Sequence, residues 1–155
     1  MCYDESKPQT RMGIAMNDEK NLLARLKTER LSLYVMKEGK VLFKSREHRI
    51  KPLYLCLRQH GGEMKGAIVV DKLVGAAAAY LCILGKVKQV ITPVISRVAI
   101  NALEEADISV YAEKIIDNVM NQDKTGLCPM EKLARELQSP KAFYKHISDH
   151  IYQKE

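Results

Sequence analysis

No stretch of this 155-residue chain is both long and apolar enough to cross a bilayer. The longest apolar run, Leu73 to Leu84, is interrupted by Gly75 and dominated by alanine, and it falls short of the roughly 20 residues a span requires. No signal peptide is expected either: Met1-Cys2-Tyr3-Asp4-Glu5-Ser6 carries acids where a basic region followed by an apolar run is needed. Neither membrane insertion nor export is expected, and the chain reads as cytoplasmic. Cysteine is sparse. Cys2, Cys56, Cys82 and Cys128 lie far apart, and Cys56 and Cys82 fall inside apolar helical patterns, so reduced packed thiols are expected rather than a disulfide framework. The sequence has no internal repeat and no low-complexity linker.

What is present describes a globular protein. Hydrophobic residues make up 46% and charged residues 28% of the chain, and its length suits one core. The net charge of +6 is spread among interleaved acids, which favours solubility over nucleic-acid binding.

Residues 1–16 lack periodicity and are expected to form a flexible leader; residues 17–155 are expected to form one domain. Leu22, Leu23 and Leu26 recur at helical spacing after Asn17, a good N-cap. Leu31–Met36 and Lys40–Phe43 read as a β-hairpin turning at Gly39. A short helix begins at Pro52 and ends at Gly61-Gly62. Gly66–Val70 is a strand apolar on both faces, leading directly into Asp71 and an alanine-rich helix closed by Gly85. The pattern repeats as the strand Gln89–Ile91, a helix from Ile95 to Ala106 and the strand Ile108–Val110. Helices over 129–137 and 140–152 finish the chain. The expected fold class is α/β, a three-layer α/β/α sandwich on a mixed central sheet with an N-terminal hairpin.

Three segments carry a resemblance: Ser45-Arg46 with Ile50-Lys51-Pro52-Leu53, Asp71-Lys72 through Gly75-Ala76-Ala77-Ala78, and Gly126-Leu127-Cys128-Pro129-Met130-Glu131. Over about residues 20–137 the sequence resembles an uncharacterised bacterial family with a cytidine-deaminase-like fold. That resemblance implies the fold and a set of unusual positions, and it implies no reaction. The deaminase zinc site itself is not encoded. Such a site needs His or Cys followed two residues later by Glu at one helix start, and Pro-Cys-x-x-Cys at the next. Here the junctions read Val70-Asp71-Lys72-Leu73 and Thr92-Pro93-Val94-Ile95-Ser96-Arg97. No metal and no cofactor are expected; His146 and His150 share a helical face without a third ligand.

Ligands of open α/β sheets occupy the crevice beyond the carboxyl ends of the strands. Asp71 stands there as a helix cap or a catalytic carboxylate. Lys72, expected in the first helical turn near Gly75, is an anion-binding candidate, with Ser96 at the next helix start. The segment 37–51 holds six basic and two acidic residues, so Ser45, Arg46 and Arg49 are candidates to face the same anion. Cys128 is expected as an N-cap with Glu131 completing a capping box, a position that activates thiols. Three functions remain open: binding of an anionic, nucleotide-like metabolite through Ser45, Arg46, Arg49, Lys72, Gly75, Ser96 and Glu131; metal-independent catalysis by Cys128 assisted by Asp71 and Lys72; and RNA binding through the basic hairpin, the least favoured. Analogy with the fold suggests a homodimer as partner.

Overall fold

The computed structural model describes residues 16–152, so the leader expected over 1–16 lies outside the described residues apart from Met16. Helix α1 (Met16–Thr28) precedes a hairpin of β1 (Leu33–Lys37) and β2 (Lys40–Ser45), which turns through Glu38 and Gly39 at φ +52° and +79°. Two successive positive φ values give the turn the twist that antiparallel strands need, and glycine adopts its share without steric cost. Then follow α2 (Lys51–His60), β3 (Ile68–Asp71), α3 (Ala76–Gly85), β4 (Gln89–Ser96), α4 (Arg97–Glu105), β5 (Ser109–Ile116), α5 (Pro129–Leu137) and α6 (Pro140–His150).

The strands form one mixed sheet in the order β2-β1-β3-β4-β5. β1 is antiparallel to both β2 and β3, whereas β3, β4 and β5 run parallel. Alternation along each strand sorts the side chains. Val69, Val90 and Val110 join the larger core beneath the helices α2 to α6, while Val70, Ile91 and Tyr111 turn to the opposite face, where Leu23 and Leu26 of α1 cover them. Helix α3 is apolar on every side because it is enclosed: Ala76–Ala79, Leu81 and Cys82 are all buried, and α2, α4, α5 and α6 pack around it.

Two expected boundaries are corrected. The alanine-rich helix begins at Ala76 rather than at Asp71, because the chain returns to the sheet first. Val74 N donates to Val94 O and Ser96 N to Val74 O, each at 3.0 Å, so Lys72 and Leu73 bulge outward between strand and helix. For the same reason β4 runs past Ile91 and through Pro93 to Ser96, and α4 starts at Arg97 rather than Ile95. Val74 on one side and β5 on the other satisfy its peptide groups, while Thr92 Oγ1 accepts from Val94 N at 3.2 Å beside the proline.

Candidate functional site

The two helix starts at the carboxyl ends of β3 and β4 are closed from within. Gly75, the N-cap of α3, has no side chain to offer, and the first free peptide groups are taken by Glu131 of α5: Ala76 N donates to Oε1 at 2.7 Å and Ala77 N to Oε2 at 2.9 Å. A buried carboxylate thus answers the partial positive charge of the helix end. At α4, Ser96 is fully buried and its Oγ accepts from Ala99 N at 3.2 Å. Glu131 was expected to box the start of its own helix. It does not: Cys128 is the N-cap of α5 but makes no side-chain capping bond, and the glutamate serves the neighbouring helix instead.

Asp71 caps no helix either. It ends β3 opposite Leu33, and the pleat directs its side chain towards the α3 face, near Cys82. The residue as a whole is half-buried, but protein surrounds its carboxyl group. Burial pushes that carboxyl up to about 7, against the opposing pull of the Leu73 and Lys72 peptide N–H groups. Cys82 lies in the same field, and burial together with Asp71 raises its thiol. Lys72, exposed and outside the helix, points the other way. Among the described residues no side-chain hydrogen bond or ion pair joins Cys128 to Asp71 or Lys72.

Lys72 instead reaches a groove of about 590 Å³ on the α1 face of the sheet. Ser32 is the staple that builds it. Its N donates to Ser45 O and its O accepts from Lys72 N, both at 2.9 Å, while its Oγ is directed at the carbonyls of Ser45 and Glu47. The exits of β2 and β3 are therefore held together, with Arg46 and His48 from one and Lys72 from the other. The end of α1 adds Lys27 and Arg30; Leu23, Leu26, Leu31 and Pro93 form the apolar walls, and Glu113 is the single acid. Of these cations, Arg46 donates to Glu29 O at 3.3 Å, whereas among the described residues no hydrogen bond or ion pair engages the side chains of Lys27, Arg30 or Lys72. Of the residues expected to gather on one anion, Arg46 and Lys72 meet here. Ser45 Oγ is spent on its own turn, accepting from Glu47 N at 3.0 Å; Arg49 is exposed outside the groove; Gly75 and Glu131 face each other, and Ser96 is enclosed. Lys27, Arg30 and His48 were not anticipated, because they converge only through the tertiary fold.

Among the described residues no group of three His, Cys, Asp or Glu side chains could hold a metal ion, and no helix is long and apolar enough to cross a membrane.

Sheet order and helix placement define an α/β domain on a mixed five-stranded sheet, in which the starts of α3 and α4 are capped by the protein's own side chains. The chain belongs to the family described as a domain of unknown function, DUF1893, whose model matches residues 21–151. The crystal structure of a DUF1893 family protein, TM1506, from Thermotoga maritima superposes with a TM-score of 0.79 at 24% identity, covering 95% of this chain and 99% of that one. A structure of Acinetobacter baumannii RibD gives a TM-score of 0.45 at 18% identity, covering 76% of this chain and 33% of that chain. No curated protein sequence matches.

Proposed function

We propose that this protein is a cytoplasmic ligand-binding domain that takes a small anionic molecule into the groove between α1 and the exits of β2 and β3. One observation carries this reading: Lys27, Arg30, Arg46 and Lys72 converge from three separate segments on a single concavity that holds one acid, Glu113. Like charges gathered on one surface attract an anion, which gains charge-assisted hydrogen bonds there. The volume lies within the range of small-molecule sites. The buried thiols Cys56 and Cys82 support a reducing compartment.

The test is a thermal-shift screen of inorganic phosphate, carboxylates and phosphate monoesters, followed by calorimetric titration of each hit. Lys72→Ala, at an exposed position, should leave the melting temperature of the free protein nearly unchanged. It should also weaken a hit roughly fivefold to tenfold, the loss of about 1 kcal/mol from one charge-assisted contact. Hits that bind the variant as tightly as the wild type would remove the groove as their site.

A further inference from the structure

The walls of the groove point to a ligand class. Resting on the reading just given, we infer that the anion bound there is amphipathic: a phosphate or carboxylate carrying an aliphatic or aromatic body, with its charge at the cationic rim and its body against Leu23, Leu26, Leu31 and Pro93.

The argument is one of available partners. A nucleotide or sugar phosphate exposes hydroxyls and base edges, and each loses its water on entering a site, so a selective pocket supplies matching donors and acceptors. This groove has few. Its lining includes no Asn, Gln, Tyr or Trp, so no amide reads a base edge and His48 is the one aromatic ring of the lining. Ser32 Oγ is already committed to the carbonyls of Ser45 and Glu47. Apart from the lysines and arginines, His48 and Glu113 are the remaining polar side chains of the lining, and Glu113 repels anions. Leu23, Leu26 and Leu31 belong to the smaller core cluster, and each is at most 8% exposed, so the walls are fixed by packing. Surfaces of this kind reward apolar area and select poorly among hydroxyls.

The experiment is a chain-length series. Butyl, hexyl and octyl phosphate, each below its micelle concentration, are titrated alongside inorganic phosphate and adenosine monophosphate against the wild type and Lys72→Ala. Burial of the chain predicts affinity that rises with length, by at most about threefold to fourfold for each added CH₂, and one roughly constant loss across the series in the variant. Affinity that is flat with chain length, or adenosine monophosphate binding as tightly as octyl phosphate with the same sensitivity to Lys72→Ala, would overturn the inference and leave the anion site standing. If no probe binds, or binding ignores Lys72, the site and the inference fall together.

Discussion

Glu131 stands where a side chain of residue 75 would have to be: a Cβ built on Gly75 would lie 2.5 Å from the glutamate Cδ and 2.6 Å from Oε2. The backbone of Gly75 is extended, with φ −109°, so glycine is required for space and not for its torsion. The carboxylate and the missing Cβ are one feature, and together they satisfy the start of α3.

Removing either half should therefore cost stability. Glu131→Ala leaves two peptide N–H groups at the start of α3 buried and unpaired, with an expected loss of about 2–4 kcal/mol in chemical denaturation. Gly75→Ala forces the carboxylate away and should lose a comparable amount. The decisive measurement is the double-mutant cycle: with Glu131 already truncated, the alanine at 75 meets empty space, so the two losses should fall well short of additive. Strict additivity would mean that the two residues act separately.

The three described cysteines should separate by environment. Cys56 has no exposed surface, and burial pushes its thiol up to about 12, with Glu63 adding to the effect; Cys82 is likewise raised by burial, Asp71 and Cys56. Cys128 is half-buried at the start of α5. Because the thiolate is the reacting form, the raised thiols of Cys56 and Cys82 should react far more slowly than an ordinary exposed cysteine. Timed iodoacetamide labelling with peptide mapping should show Cys128 modified first and Cys56 and Cys82 protected until the protein unfolds. Early modification of either core thiol would mean that α2 or α3 opens readily.

Much of the fold is legible in the sequence because local pattern and final environment agree. The hairpin glycine, the apolar β3 run, and the prolines that open α5 and α6 each act on their own neighbourhood. The site is less legible, since its members are assembled by contacts between distant segments. Nothing near Glu131 in sequence indicates that it crosses to α3, although a helix opening Gly-Ala-Ala-Ala has no capping side chain of its own and must be satisfied from elsewhere. Lys72 shows the opposite failure. Its strand-to-helix spacing suggests a first helical turn, and the return of Val74 to the sheet moves it outside. Lys27 and Arg30 look like ordinary charges at the end of a surface helix until Ser32 ties the β2 and β3 exits beside them.

Glu19 offers the last prediction. This residue of α1 has no exposed surface. Gln89 Nε2 donates to its Oε2, whereas Oε1 has no partner, and a half-satisfied buried carboxylate favours its protonated form. Burial, offset by the Gln89 bond and reinforced by Asp18, pushes Glu19 from 4.5 up to about 7, and Asp71 is pushed up to about 7 from 3.8. The sign follows from proton counting. Below about pH 3 both carboxyls are protonated in the folded and unfolded chain alike. Between there and pH 7 the folded chain keeps protons that the unfolded chain has released, so these two groups make stability fall as pH rises, levelling off above 7. Glu19→Gln cannot ionise, and it should remove roughly half of that decline, since two groups with comparable shifts share it. Urea denaturation of wild type and variant at intervals from pH 4.5 to 7.5 checks this, and the variant should gain most at the alkaline end. A variant whose deficit or advantage is the same at every pH would show that folding leaves the titration of Glu19 unchanged.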